Sequence, residues 1–185
     1  SLYRATALAA LQDGIAPDDE ATLARLAAML DLRFEGTAVV LRGRPVGDDL
    51  RREDVGSLAS RVAALPAVRE ALHGLQLAFR RPPGLVADGR DMGTVIFPDA
   101  ALKVFLTSSA AQRASRRHKQ LISKGIQARI DDLRVDLEVR DARDKSRSIA
   151  PLKPAEDALS LDNSALSIEE SVDVVLGWWQ QRRPF

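Results

Sequence analysis

The sequence has 185 residues, of which 45% are hydrophobic and 29% charged, with a net charge of +1. This length suits one domain with a single core, and the composition argues against disorder. The sequence contains no cysteine, which excludes disulfides, thiol catalysis and cysteine-bound zinc. Its near-neutral charge gives no global attraction to nucleic acid or membranes, and neither a signal peptide nor a run of roughly 20 apolar residues occurs. We therefore expect a cytoplasmic protein without a nucleic acid or membrane partner.

The first half of the sequence is predicted to be mostly helical. A glycine C-cap at Gly14 and a first-turn proline at Pro66 mark helix ends. Between the second and third helices the spacing of apolar residues changes from a helical to a strand-like pattern. This predicts two strands and a small antiparallel element with turns at Gly36 and at residues 43–45. The predicted helices cover residues 3–12, 17–30, 51–64 and 66–80, and the predicted strands cover residues 32–34 and 38–42.

Strands alternate with helices in the second half. Short apolar runs predict strands over residues 85–87, 102–106 and 158–161, and a long charged region over 111–146 predicts helices. Ser167 to Glu170 forms a capping box that opens a final helix. Alternation of this kind predicts an α/β fold in which a parallel sheet is flanked by helices.

The first polar cluster follows the strand predicted at residues 85–87. Ligands bind beyond the carboxyl ends of parallel strands, and Asp88, Arg90 and Asp91 lie there among glycines. Glycines let the backbone approach a ligand, Arg90 can bind phosphate, and an acid can hold a magnesium hydration shell. A polar turn between a strand and a helix explains the same residues, so spacing alone leaves both interpretations open.

The second polar cluster runs from Arg140 to Arg147. If this segment is helical, Arg140, Asp144 and Arg147 share one face, which could present two cations and a carboxylate to a nucleotide. A solvated, internally paired helix surface is the alternative. Residues 162–164 are interpreted as a turn that leads into the Ser167 cap.

Several stretches match a known family over essentially the whole chain. The most specific is ADGRDMGTVIFPDA, from Ala87 to Ala100. The others are Leu2-Tyr3-Arg4 and residues 58–63, 68–72, 140–152 and 166–170. Together they resemble bacterial cytidylate kinase, which implies the P-loop nucleoside monophosphate kinase fold. In that fold residues 1–65 would form the monophosphate-binding region with a β-insert near 32–46, residues 66–112 and 150–185 the parallel-sheet core, and residues 113–149 the lid.

The resemblance also implies an activity and a role for each matching residue. The activity is transfer of the ATP γ-phosphoryl group to CMP or dCMP, with Mg²⁺ as cofactor, in a monomer. Arginines would offset charge during the transfer, and an aspartate that accepts from the exocyclic amine would select cytosine. By position, Arg4 and Arg90 would hold the CMP phosphate, Arg140 and Asp144 would contact the pentose, and Ser60, Arg69 and Asp91 would read cytosine, which Arg147 would also approach. On the donor side, Arg116 would lie beside ATP and Asp88 would belong to the magnesium shell. The catalytic residues would be Arg90, Arg140 and Arg147.

The sequence departs from this family at its start. The family begins with a strand and a loop of the pattern G-x-x-x-x-G-K-[ST], which cradles ATP phosphates and does not occur here. We therefore expect a truncated chain whose sheet lacks its first strand and whose catalysis is weak. Kinases for UMP or AMP, a non-catalytic CMP-binding remnant and an arginine-rich RNA-binding module remain alternatives. The charge balance and an aromatic content of 4% weigh against RNA.

Overall fold

A computed structural model describes residues 2–36 and 38–182, and the chain divides into two compact units, Ser1–Val86 and Ala87–Phe185. Its mixture of helices and strands confirms the predicted α/β class. The helices are α1 (Leu2–Gln12), α2 (Glu20–Ala28), α3 (Glu53–Val62), α4 (Pro66–Ala78), α5 (Ala110–Ile122), α6 (Ile130–Ser146) and α7 (Ile168–Arg182). The strands are β1 (Leu32–Glu35), β2 (Ala38–Leu41), β3 (Arg44–Pro45), β4 (Val104–Thr107) and β5 (Leu159–Asp162). The finer division into a core, a lid and a monophosphate-binding region stays a prediction.

The first unit packs its helices around one apolar core. Helix α1 packs against α3, and α2 packs against α4. Four of the seven buried positions of helix α1 are alanines, which lets the helix pack closely against its neighbours. The largest fully buried apolar side chains of the core are Leu23, Leu41, Val55, Val62, Val68 and Leu72.

The strands of the first unit form an antiparallel sheet in the order β1-β2-β3. The turn between β2 and β3 lies at Arg42 and Gly43, one residue earlier than predicted, and Arg44–Pro45 pairs with β2 instead of turning. Both turn residues have positive φ angles, 50° for Arg42 and 75° for Gly43, as a two-residue type I′ hairpin loop requires. Arg42 adopts this unfavourable conformation while its guanidinium binds Asp13 with two bonds of 2.7 and 2.5 Å.

The Asp13–Arg42 pair predicts a stability difference that depends on pH. The hydrogen bond from Arg42 lowers the pKa of Asp13 below its ordinary value of 3.8, so the pair stabilises the fold above that pH and loses its effect as pH falls. Asp13→Asn is expected to lower the urea midpoint slightly at pH 7, since exposed pairs contribute about 0.2–1 kcal/mol. The difference from the wild type should narrow below pH 3.8. A gap that stays constant with pH would contradict the assignment.

The second unit contains a parallel strand pair, as predicted. β4 and β5 are in register from Val104 opposite Leu159 to Thr107 opposite Asp162. Helices α5 and α6 pack through Ala114, Leu121 and Leu133. The predicted capping box is confirmed before α7, where Ser167 N donates to Glu170 Oε2 at 2.7 Å and Glu170 N donates to Ser167 Oγ at 3.1 Å.

One predicted strand is wrong. Residues 85–87 form no strand, and Val86 is fully exposed. A strand needs a neighbour to pair its backbone groups, and β4 and β5 pair with each other but not with this segment. Within residues 2–36 and 38–182, no helix combines the length and hydrophobicity that crossing a membrane requires.

Candidate functional site

Arg4 is held between α1 and its neighbours in the first unit. Its Nη1 donates to the carbonyl oxygen of Leu50 at 2.6 Å. The guanidinium lies against Gly56 of α3, where an added Cβ would come within 2.9 Å of Nη2. The missing side chain at Gly56 therefore leaves the room that the Arg4 head group occupies. An arginine fixed in this way presents a preorganised cation instead of a mobile one.

Arg69 and Ser60 lie close to the same end of α1. Arg69, on α4, is only 8% exposed; its Nη1 donates to the Ala63 carbonyl at 3.2 Å, and its guanidinium carbon lies 5.7 Å from the centre of the Tyr3 ring. This is a cation–π distance. Ser60 is half-buried and lies one turn after Gly56 on α3, on the face that Arg4 contacts. The first unit thus places Arg4 and Arg69 beside the first turn of α1, and Ser60 one turn along α3 from the glycine that Arg4 contacts.

In the second unit, Asp91 begins an unusual turn. Residues Met92–Ile96 form a π-helix, in which the Asp91 carbonyl accepts from Val95 N at 2.9 Å and from Ile96 N at 3.3 Å. Asp91 itself is 3% exposed, whereas Asp88 and Arg90 are exposed. Short π-helical segments are rare and often occur at functional sites. The segment after Asp91 is therefore a defined π-helical turn and not an ordinary polar connection between a strand and a helix.

Arg90 connects this turn to α6. Its Nε donates to Asp144 Oδ2 at 2.9 Å, and the side chain of Asp144 is 8% exposed while that of Arg90 is 49% exposed. The carboxylate fixes the inner edge of the guanidinium, and the outer part of the group faces solvent. This geometry suits an arginine that binds an anion from solution. The structure therefore joins the two polar clusters of the second unit through one ion pair.

The prediction that Arg140, Asp144 and Arg147 share one helix face is partly wrong. Arg140 is half-buried one turn before Asp144 on α6. Arg147 is the C-cap residue with extended backbone (φ −62°, ψ 140°), because α6 ends at Ser146. Its backbone N still donates to the Arg143 carbonyl of α6 at 3.1 Å, but its side chain is held by the following loop, where Nε donates to the Ala150 carbonyl at 2.5 Å.

Arg116 supports the turn after β5. Its guanidinium donates to the carbonyls of Asn163 at 2.6 Å and Leu166 at 3.3 Å and to Asn163 Oδ1 at 3.2 Å. The same turn has Ser164 N donating to Asp162 Oδ1 at 2.8 Å, as its interpretation as a turn predicted. Arg116 therefore has a structural use in its own unit, and its role beside ATP stays a prediction.

Besides the Arg90–Asp144 pair, two charged pairs between distant positions of the second unit were not predicted from the sequence. Arg113 of α5 binds Asp141 of α6 with both terminal nitrogens, and Lys103 before β4 binds Asp157 at 2.9 Å. The signal for Lys103 was available, because it is one charged residue inside the apolar run from Ala101 to Leu106. Arg113 gave no such signal among the many arginines of its region.

Asp88 was predicted to belong to a magnesium shell. Across the part of the chain that the structure describes, no group of three His, Cys, Asp or Glu side chains could hold a metal ion. The described His, Cys, Asp and Glu side chains therefore do not form a metal site made of protein ligands alone. An exposed single carboxylate does fit Mg²⁺, since this ion keeps several waters and takes its other ligands from a substrate phosphate.

Guanidiniums held by carbonyls and a carboxylate, together with a parallel strand pair, are typical of α/β proteins that bind phosphorylated small molecules. The model of the family described as Cytidylate kinase matches residues 1–181. The chain belongs to the cytidylate kinase family, whose members are phosphotransferases with ATP as donor and nucleotides as substrates.

Curated relatives agree with the family model. The cytidylate kinase of Bordetella bronchiseptica is 57% identical over 180 residues, 97% of this chain and 81% of that protein. Cytidylate kinases of Burkholderia ambifaria and Ralstonia pickettii are 57% and 54% identical over 97% and 98% of this chain, and 79% and 78% of theirs. The resemblance found in the sequence is confirmed, and these matches lend no support to an RNA-binding module or a non-catalytic remnant.

Proposed function

We propose that this chain transfers the γ-phosphoryl group of ATP to CMP or dCMP, forming CDP or dCDP and ADP. The observation that carries the proposal is the Arg90–Asp144 ion pair beside the buried Asp91. If Arg90 binds the phosphate and Asp91 accepts from the base, as proposed, both groups would lie on one short turn. The relatives that are 54–57% identical are cytidylate kinases, which supports the same substrate.

In this proposal, Asp91 selects the base. Its carboxylate only accepts hydrogen bonds, so it suits the N4 amine of cytosine and disfavours the O4 carbonyl of uracil. Burial strengthens this discrimination, because a mismatched group near Asp91 cannot be rescued by water. Ser60 and Arg69 would also read cytosine, and Arg147 would approach it.

The phosphate and sugar of CMP would be held by separate groups. Arg4 and Arg90 would bind the phosphate, and Arg140 and Asp144 would contact the pentose hydroxyls. A CMP phosphate oxygen then forms a bond to Pγ while the bond from Pγ to the β–γ bridging oxygen breaks, and ADP leaves. Arg90 and Arg140, with Arg147, would offset the charge that spreads over the transferring group.

The donor side rests on fewer residues. Arg116 would lie beside ATP while it holds the turn after β5. Mg²⁺, when bound with ATP, would neutralise part of the phosphate charge, and Asp88 would belong to its hydration shell. The proposal also includes a cytoplasmic location and a monomeric state.

A coupled assay of ADP formation tests the substrate assignment. We expect CMP and dCMP to give the highest kcat/KM, with UMP and AMP lower by at least about tenfold, since buried hydrogen-bonding groups reject a mismatched substrate strongly. The assay compares the four nucleotides at one saturating concentration of ATP. UMP or AMP ranking above CMP would contradict the proposal.

A further inference from the structure

We propose that Lys103 is a positioning residue for base recognition: it ties the turn that begins at Asp91 to the two parallel strands and so sets where the Asp91 carboxylate lies. The inference rests on the proposed function, since it concerns how that site separates cytosine from uracil. Lys103 itself would touch no substrate, and its effect would pass through the backbone of residues 91–98.

Lys103 is buried to an extent that requires partners. Its side chain is 10% exposed, and a lysine is seldom so buried unless its charge is paired. The ammonium donates to the Pro98 carbonyl at 2.6 Å and to Asp157 Oδ1 at 2.9 Å. Asp157 is 60% exposed on its side chain, so the carboxylate reaches inward from the surface to meet the lysine.

Lys103 contacts both ends of the turn. An added Cβ at Gly93 would lie 3.2 and 3.3 Å from Cδ and Cγ of Lys103, so the lysine stem packs closely on the turn's first half. Its Nζ bonds to Pro98, directly after the turn, where Phe97 N donates to the Met92 carbonyl at 2.7 Å. Because Asp91 bonds to Val95 and Ile96 within the same turn, movement of this segment moves Asp91 as well.

The other end of the connection is the strand pair. The Lys103 carbonyl accepts from Leu159 N at 2.9 Å, at the start of the β4–β5 pairing. Asp157 lies two residues before β5. Lys103 therefore connects three segments. Its backbone leads into β4, its ammonium binds Asp157 shortly before β5, and its stem and ammonium contact the turn. A 1 Å misplacement of a positioned group can cost a factor of about 100 in reaction rate, and we expect a smaller loss in binding when this connection is removed.

Lys103→Met tests the inference, because it keeps the apolar stem on Gly93 and removes both Nζ bonds. We expect CMP affinity to fall about tenfold and UMP affinity to change less than about threefold, so that the CMP/UMP preference falls. Lys103→Arg should restore part of the preference. The matched control is Lys153→Met, the same change at an exposed lysine of the same unit, which should leave the preference unchanged. Calorimetric titration gives the affinities.

A double-mutant cycle separates positioning from general stability. If Lys103 acts through Asp91, Lys103→Met should cost little in an Asp91→Ala background, so the two effects on CMP affinity are not additive. Additive effects, or equal losses of CMP, UMP and ATP affinity, would overturn the inference. If Lys103→Met does not fold, Asp157→Asn keeps the lysine and the Pro98 bond, and should lower the preference in the same direction by a smaller factor; an unchanged preference would count against it.

The wild type separates failure of the inference from failure of the proposed function. A wild-type chain that does not prefer CMP over UMP refutes the proposed function. A wild-type chain that prefers CMP, with a Lys103→Met variant that keeps the full preference, refutes only the role of Lys103.

Discussion

Replacing Arg90 with methionine is expected to weaken CMP binding by about 10- to 100-fold, while the binding of cytidine stays almost unchanged. The reason is that Arg90 is assigned to the phosphate, and hydrogen bonds to charged groups contribute about 1.5–3 kcal/mol each. Methionine keeps most of the length of the apolar stem and removes the fork that Asp144 orients at 2.9 Å. Calorimetric titration with CMP and with cytidine measures the two affinities without requiring catalysis.

Two variants sharpen this test. Arg90→Lys keeps a positive charge but cannot bind Asp144 and a phosphate with one planar fork, so an intermediate loss of CMP affinity is expected. Arg134→Met changes an exposed arginine of α6 that pairs only weakly with Glu138, and it should leave CMP affinity unchanged. Equal losses of CMP and cytidine affinity in Arg90→Met would instead show that Arg90 supports the fold, the base or, through Asp144, the pentose, and not the phosphate.

Local signals in the sequence predicted much of the fold. The helix ends at Pro66 and Ser167 follow from residues whose hydrogen bonds lie within a few positions. The parallel pairing of β4 and β5 followed from alternation of strands and helices. Residues 85–87 show the limit of such signals: an apolar run favours a strand, but only a neighbouring strand makes it one.

The candidate site was harder to predict, because its geometry depends on contacts between distant positions. Arg90 and Asp144 are 54 residues apart, and nothing in either local pattern indicates that they meet. Arg147 was placed on a helix face that ends one residue before it, since the loop bond to Ala150 was not visible in the spacing. The roles of these residues came from the family resemblance. The Arg90–Asp144 ion pair adds a physical reason for the role of Arg90.

The remaining large effect is expected at Asp91, where the isosteric change Asp91→Asn should shift the preference from CMP toward UMP. The wild-type carboxylate can only accept, which suits the N4 amine of cytosine. The asparagine amide can also donate, so it can bind the O4 carbonyl of uracil. Because Asp91 is 3% exposed, a mismatch there cannot be relieved by water, and we expect the CMP/UMP affinity ratio to fall by about 10- to 100-fold.

The comparison that decides this prediction is the ratio of affinities, since a loss of stability would weaken both ligands together. Asp136→Asn makes the same chemical change at an exposed position of α6 and should leave the ratio as in the wild type. Titrations of CMP, UMP and ATP on each variant give the ratio and show whether the donor side is disturbed. A ratio that is unchanged in Asp91→Asn would remove Asp91 from the base. The role proposed for Lys103 would then be refuted as well, because Lys103 is proposed to position the Asp91 carboxylate for base recognition.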